Sequence, residues 1–379
     1  MIVKPRQYGF FGLLLEMRGS VVPAIMPKII FAVCVGVVVT LVLSMDLLGE
    51  DTDEILSLNF TPFTALGVAI SLFLGFHNNA SYGRWWEARI LWGRQIIVCR
   101  DLARFLIGII DEDDTDCYSP SDEKNVFQKS CTPTQIDSSK SDETTDDDIE
   151  KNTESLWLGS VQSRQRVKHT DPRQYKYKNW QHHIICLSVA HTHGFRHQMR
   201  PSCTRDKTSA MSDRNRFLNP DEERILLRCK NNANTILLFA SKVLGKAHKA
   251  KKIDTYSMIH VQKTIDGLCT IQTACERIHN TSLPLAYSLL VHRTSVLYVM
   301  LVPFAIAPTM GWWTPVFTAI VAYTFFGLDQ LAKDIQEPFR DHPMCLALSA
   351  MSRTIEIDAL EIMGEETPPF LKQHGNVLM

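Results

Sequence analysis

The chain lacks the cysteine patterns that build disulfide frameworks or structural zinc sites. Its ten cysteines include no CxxC pair and no paired zinc-knuckle spacing, so we expect reduced, mostly buried thiols and no metal. It also lacks an excess of one charge, since its net charge is -1, and this argues against a nucleic-acid-binding protein. No nucleophile and base pair, phosphate loop or metal motif supports a soluble enzyme. The sequence therefore predicts no catalytic site.

Long uncharged runs are what the sequence does contain. Residues 29–45 and 55–76 carry no charged side chain, and about 20 apolar residues suffice to cross a bilayer. A third run, at 294–328, is too long for one crossing and contains the turn-forming and aromatic segment 308–313. For any single run, a buried core helix of a soluble protein is the alternative.

The sequence thus predicts four membrane spans arranged as two hairpins. Their approximate bounds are residues 28–48, 55–80, 283–307 and 314–332. Basic residues precede the first span and follow the second, whereas the loop between these spans is acidic and has no Lys or Arg. Because basic residues are retained on the cytoplasmic side, we expect a multi-pass membrane protein with both termini in the cytosol.

The regions outside the spans differ in composition. Residues 111–170 include an acidic, Ser- and Thr-rich stretch, for which we expect a disordered insert; a solvated linker is favoured over a regulatory tail or calcium trap. Residues 171–282 predict a cytosolic helical layer, with helices over 184–189, 225–244 and 258–278. Asn219 and Pro220 are placed to begin the middle helix. A cytosolic C-terminal segment follows at 336–379.

Two histidine-bearing segments allow more than one interpretation. One helix carries five histidines near Arg196 and Arg200, and its His193 and His197 could face one metal ion. Without a third ligand, a solvated or phosphate-facing basic helix is preferred. His292, near the start of the third span, would face a cavity or the protein interior if it lies at membrane depth, or else belongs to a cytosolic extension. The five histidines are His182, His183, His191, His193 and His197.

The second predicted span carries two stripes at four-residue spacing. One is a small-residue stripe of Gly67, Ser71 and Gly75, typical of membrane helices that approach closely. Beside it runs an apolar stripe about 12 Å long at about 1.5 Å per residue. Around a symmetry axis this stripe would line a dry neck that gates ions by dewetting; facing lipid or protein is the alternative. The apolar stripe consists of Val68, Leu72 and Phe76.

The block at residues 74–89, LGFHNNASYGRWWEAR, resembles the signature of the bestrophin family and its bacterial and plant relatives. Further matching blocks follow in order along both hairpins and the C-terminal segment, and leave the acidic insert unmatched. These blocks are CERIHNT at 275–281, LPLAY at 283–287, FFGLD at 325–329, EPF at 337–339 and TIEID at 354–358.

The resemblance implies an all-α homopentamer around one axial pore, with a hydrophobic neck in the membrane and a second constriction at the cytosolic exit. It places Val68, Leu72 and Phe76 in the neck and Leu283, immediately before Pro284, at the cytosolic aperture. The remaining signature residues are expected to anchor the helix at the membrane interface and to pack against other helices. They are Asn78, Asn79, Arg84, Trp85 and Trp86.

The predicted neck has no ring of charge, so the sign of the permeant ion is not fixed by it. Eukaryotic relatives are mainly anion channels, and the long acidic insert favours chloride; a cation-conducting bacterial-type homologue and a non-conducting scaffold or accessory subunit are the alternatives. Animal members bind calcium through an acidic run after the Pro-Phe motif. Here Arg340 follows Pro338-Phe339, which argues against calcium activation. The expected partners are other copies of the chain, membrane lipid and small ions.

Overall fold

The computed structural model describes residues 20–45, 60–110, 177–200 and 211–371. Within these ranges the fold is helical and contains no β-strand, which confirms the predicted all-α class. The predicted acidic insert at 111–170 lies outside the described residues, as do the acidic loop at 46–59 and both ends of the chain.

The helices are named here in chain order. A 3₁₀ turn at Gly311–Trp313 joins the seventh to the eighth. They are α1 (Val22–Ser44), α2 (Phe60–Gly108), α3 (Trp180–Met199), α4 (Pro220–Leu226), α5 (Asn232–Lys249), α6 (Thr255–Asn280), α7 (Leu285–Met310), α8 (Thr314–Ile335) and α9 (Leu348–Ile362).

Among the described residues, two stretches are long and apolar enough to cross a membrane. They are α1 and the 51-residue stretch Leu285–Ile335, which comprises α7 and α8. A straight helix of that length would extend about 76 Å, more than twice the roughly 30 Å of a bilayer core. Gly311 reverses the chain between α7 and α8 with a φ of +50°, a left-handed conformation that glycine adopts without a Cβ clash.

Contacts between these apolar helices show that α7 and α8 run in opposite directions. Tyr298 of α7 contacts Phe325 of α8 with ring centroids 5.0 Å apart. Earlier on α7, His292 bonds to Asp329, which comes later on α8. Helix α1 is likewise antiparallel to α8, because Lys28 lies over the ring of Phe326 whereas the later Gly36 packs near the start of α8.

The first part of α2 completes the bundle. Gly67 of α2 packs against Tyr298, and His77, further along α2, lies 3.3 Å from Ser288, which comes earlier in α7. Helix α2 is therefore antiparallel to α7, and the four apolar segments alternate in direction. The buried core between α1, α7 and α8 consists of Ile25, Ala32, Val299, Ala322 and Phe326.

Helix α2 is long enough to belong to two layers. Its 49 residues extend about 73 Å, more than twice the roughly 30 Å of a bilayer core. Its buried side chains change partner along the way: Leu74 faces the apolar bundle, whereas Trp92 and Leu106 pack against helices of a second layer built from α3, α5, α6 and α9. One continuous helix thus joins the two layers.

Helix α3 corrects the interpretation of the histidine-rich segment, because it is the buried centre of the second layer. His183, His191 and His193 have no exposed surface, so the prediction of a solvated basic helix was wrong. The Nε2 atom of His183 lies 2.9 Å from Glu222, and that of His193 lies 3.2 Å from Glu356. These partners are distant in sequence, so the local pattern carried no sign of them.

The predicted helix at 225–244 is two helices. Helix α4 ends at Leu226, and α5 begins at Asn232, where the side chain of Asn231 accepts a hydrogen bond from the Asn234 amide at 3.1 Å. Asparagine competes with helix continuation by capping the next helix. The predicted start of α4 is confirmed, because Asn219 is its N-cap and donates its own amide hydrogen to Glu222 at 2.8 Å.

We expect the second layer to lose stability on acidification through His191. Burial lowers the pKa of His191 to about 4, while an unfolded histidine titrates near about 6.5. Between these pKa values the unfolded state binds a proton that the folded state does not, so the free energy of unfolding decreases as the pH decreases. The loss at about pH 5, relative to neutral pH, is about 2 kcal/mol.

Thermal unfolding of the purified protein in detergent, at about pH 7.5 and pH 5, measures this loss. The substitution His191→Gln keeps a donor and an acceptor for Gln95 and Gln272, the neighbours of the ring, and should reduce the acid sensitivity. If both proteins lose the same stability between the two pH values, His191 does not carry the effect.

Candidate ion pathway and its supporting contacts

The apolar stripe of α2 faces away from the rest of the chain. Val68, Leu72 and Phe76 are 67%, 58% and 56% exposed, whereas Ile70 and Leu74, on the opposite face, are 4% and 1% exposed. The stripe is therefore one continuous apolar face that the described part of the chain leaves uncovered. A surface of this kind contacts lipid, another protein or a dewetted pore.

The three residues of the small stripe have different surroundings. A Cβ atom at Gly67 would meet the Tyr298 hydroxyl oxygen and lie 2.9 Å from its Cζ, so a larger residue there requires the Tyr298 side chain to shift. The Ser71 hydroxyl donates to the Gly67 carbonyl at 2.7 Å, a bond within the helix. A Cβ at Gly75 would meet no atom of residues 20–45, 60–110, 177–200 and 211–371 within 4 Å. Close packing within the chain therefore involves Gly67 and leaves Gly75 open.

His77 follows the stripe and holds α2 against α7. It is fully buried, its Nε2 lies 3.3 Å from Ser288 Oγ, and its ring meets Tyr287 edge-on at 5.6 Å. The Tyr287 hydroxyl donates to the Phe73 carbonyl at 3.1 Å. These contacts fix the rotation of α2 so that Phe76 faces outward. His77 was not singled out from the sequence, although an ionisable residue ending an apolar run was a usable signal.

A buried ionic cluster lies between α7 and α8. Asp329 is 1% exposed, and its Oδ2 lies 2.7 Å from both Lys333 Nζ and His292 Nδ1. The Lys333 and His292 nitrogens are 3.0 Å apart. His292 is therefore half-buried and bonded to a carboxylate of α8, and its two predicted settings, at membrane depth or in a cytosolic extension, stay predictions. Asp329 and Lys333 were also missed, although one helical turn separates them.

The first signature residues after His77 make contrasting contacts. The Asn78 side chain is half-buried and donates to the Leu74 carbonyl at 2.9 Å, one turn back in the same helix. Asn79 is exposed on the surface of the chain. The Asn78 amide nitrogen therefore finds its acceptor within α2, and Asn79 lies on the outer surface.

Arg84 joins α2 to the ends of two other helices. Its guanidinium donates from Nη2 to the Ile278 carbonyl at 2.6 Å, from Nη1 to the Thr281 carbonyl at 2.5 Å and from Nε to the Gln336 carbonyl at 3.1 Å. Thr281 caps α6 and Gln336 caps α8. Helix C-termini leave carbonyls without partners and carry partial negative charge, so one cation satisfies both ends.

The neighbouring tryptophans divide between packing and exposure. The Trp85 indole Nε1 donates to the Met344 carbonyl at 3.1 Å, and thereby holds the segment that follows α8. Trp86 is 49% exposed and stacks on Trp85 with ring centroids 6.4 Å apart. Trp85 is thus tied to the second layer, while Trp86 lies on the outer surface beside Tyr82.

Leu283 and Pro284 lie in the short linker between α6 and α7. Leu283 is half-buried, and Pro284 is exposed and forms the N-cap of α7. Beyond α8, the carboxylates of Glu337 and Asp341 lie 3.8 Å from Arg340 and Arg200, respectively. No cluster of three or more His, Cys, Asp or Glu with metal-site spacing occurs in the described ranges.

Comparisons with known proteins identify relatives over nearly the whole chain. Residues 1–131 and 160–361 match the family described as Bacterial/Fungal Bestrophin protein. A voltage-dependent anion channel-forming protein from Mesorhizobium japonicum is 31% identical over 372 residues, which cover 98% of this chain and 95% of the relative. A protein of the same description from Ralstonia nicotianae is 28% identical over 365 residues, 96% of this chain and 95% of its own length.

The fold also has solved counterparts. The crystal structure of a bacterial bestrophin homologue from Klebsiella pneumoniae matches with a TM-score of 0.64 and 25% identity, covering 90% of this chain and 99% of that one. These findings confirm the family resemblance inferred from the signature blocks.

The unequal surroundings of the two glycines lead to a matched experiment. Gly67→Ala should destabilise the protein by about 1 to 3 kcal/mol, because the added methyl group overpacks against Tyr298. Gly75→Ala should be neutral or stabilising by up to about 1 kcal/mol, since alanine favours helix and no atom of the chain is displaced. Thermal unfolding in detergent compares them. Equal melting temperatures for the two variants would contradict the contact at Gly67.

Proposed function

Because the chain belongs to the bacterial and fungal bestrophin family, we propose that it forms an oligomeric membrane channel through which small anions pass passively. The observation that carries the proposal is the uncovered apolar stripe of Val68, Leu72 and Phe76. This stripe lies on a helix whose opposite face is packed against α7. A face held in one orientation and left uncovered by its own chain is suited to line a shared axis.

The alternating bundle supports the proposed four-span topology. Helices α1, α7, α8 and the first part of α2 run in alternating directions, as two hairpins crossing a membrane would. The charge pattern of the sequence supports a cytosolic location for both termini and the second helical layer. In this arrangement Arg84 and Trp85 lie at the cytosolic border, where α2 leaves the membrane.

An oligomer is needed to make a pathway out of one exposed face. With several copies around an axis, five in our proposal, the three side chains become three apolar rings over about 12 Å. Such a neck is too dry for ions when narrow and conducts once it is wetted. Leu283, at the start of α7, forms the cytosolic aperture in the same proposal.

The sign of the ion rests on the relatives and on the absence of charge in the neck. Residues 60–76 contain no charged side chain, and the buried carboxylate of Asp329 is paired with Lys333. The neck therefore presents no carboxylate ring to attract cations. Since the related proteins are described as anion channel-forming, we propose anions, with chloride as the principal one.

Planar bilayers containing the purified protein test the proposal directly. In asymmetric potassium chloride, the current should reverse near the equilibrium potential of chloride. Reversal near that of potassium would establish a cation channel, and no current from correctly folded protein would favour the scaffold.

The neck itself is tested by two phenylalanine variants that differ in the face they occupy. Phe76→Ala should raise the conductance at least about two-fold, because removing a ring of phenyl groups widens and wets the neck. Phe73→Ala is the matched control: Phe73 is 51% exposed, much like Phe76, but lies off the stripe, and its contact to Tyr287 uses the backbone carbonyl. Equal effects of the two variants would contradict the assignment of the stripe to the neck.

A further inference from the structure

Arg84 is the one signature side chain of α2 that donates to the ends of two other helices within the described ranges. Its acceptors are backbone carbonyls of the last turn and cap of α6 and of the cap of α8. Each helix C-terminus carries the equivalent of about half a negative charge. Two such ends together balance about one positive charge, so the guanidinium is matched without a carboxylate. The carboxylate one turn away, Glu87, is paired with Arg277.

The hydrogen bond from Arg84 to the Thr281 carbonyl attaches α2 to the linker that carries Leu283. Thr281 lies two residues before Leu283 in the linker between α6 and α7. On the other side of Leu283, Tyr287 bonds to the Phe73 carbonyl and Ser288 lies beside His77. The linker that carries Leu283 is thus attached to α2 both before and after that residue.

We propose that Arg84 is a positioning residue that fixes the aperture residue Leu283 relative to the neck on α2. This inference rests on the proposed function, because it takes the stripe and Leu283 as parts of one pathway. The attachment through Tyr287 and Ser288 holds the start of α7, and Arg84 holds the end of α6. Without Arg84, the linker keeps its second attachment and loses the first, so Leu283 gains freedom to move toward or away from the axis.

The geometry requires a guanidinium. Three acceptors from two helices lie around one planar group, and each receives a different nitrogen. A lysine ammonium is a compact charge without this fork and cannot present three donors in the same plane. The three hydrogen bonds from Arg84 to α6 and α8 are called the Arg84 clamp here. Arg84→Lys should therefore lose the clamp. Arg84→Gln, which retains one amide group, should also lose it and leaves no uncompensated charge.

A double-mutant cycle distinguishes positioning of the aperture from general support of the fold. Permeability ratios of chloride and a larger anion, such as gluconate, are measured for wild type, Arg84→Gln, Leu283→Ala and the double variant. Arg84→Gln should change the ratio at least about two-fold in the wild-type background and not further in Leu283→Ala. Equal effects in both backgrounds would overturn the inference, since coupling through Leu283 requires non-additivity.

Arg277→Ala is the matched control, because it also removes an ion pair between α2 and α6 but leaves the Arg84 acceptors in place. It should leave the permeability ratio unchanged. A change equal to that of Arg84→Gln would show that any loosening of α2 from α6 suffices, and would overturn the specific role of Arg84.

Hydrogen exchange separates failure of this inference from failure of the proposed function. Amides of residues 281–287 should exchange at least about ten-fold faster in Arg84→Gln than in Arg277→Ala, whether or not the protein conducts. Unchanged exchange in Arg84→Gln would refute the clamp alone. Absence of current in wild type, with the exchange difference present, would refute the channel and leave the clamp. If Arg84→Gln does not fold, Arg84→Lys enters the same measurements with the same expected results.

Discussion

The structure depends on the continuity of α2, which is one helix that packs into both layers and also carries the exposed apolar stripe. Its first half packs on α7 through Gly67 and His77, and its second half packs into the layer around α3. Because the helix is not interrupted between Phe60 and Gly108, a rotation imposed at one end is transmitted to the other. The orientation of the apolar stripe is therefore set by contacts in both layers.

The buried charge of Glu356 is matched by groups from its own helix and from segments that are remote in sequence. Glu356 is fully buried and is contacted by His193, Arg216 and Arg353, which come from three separate segments. Removing one member of such a group leaves an uncompensated charge in a low-dielectric interior, which costs several kcal/mol. These contacts hold α9 on α3, in the layer against which the second half of α2 packs.

The sequence predicted those features that follow from the spacing of neighbouring residues. It did not predict those that depend on contacts with residues distant in the chain. Four-residue spacing on α2 was sufficient to place Val68, Leu72 and Phe76 on one face, and the Asn219-Pro220 pair located the start of α4. Burial of α3 could not be read from its histidines, because Glu222 and Glu356 lie elsewhere in the chain. The acceptors of Arg84 are backbone carbonyls 194 to 252 residues away. Because every residue has a backbone carbonyl, the sequence does not indicate which ones accept these hydrogen bonds.

The two ends of the stripe are held by different kinds of contact. Near Val68, the distance between α2 and α7 is set by Gly67 against the Tyr298 ring, a contact without space to adjust. Near Phe76, it is set by hydrogen bonds from His77 and Tyr287, while the adjacent Gly75 has open space. The contact at the Val68 end therefore depends on Gly67 having no Cβ, whereas the contacts at the Phe76 end depend on polar side chains. The polar contacts lie at the end of the stripe that is nearer to Arg84 and the linker that it holds.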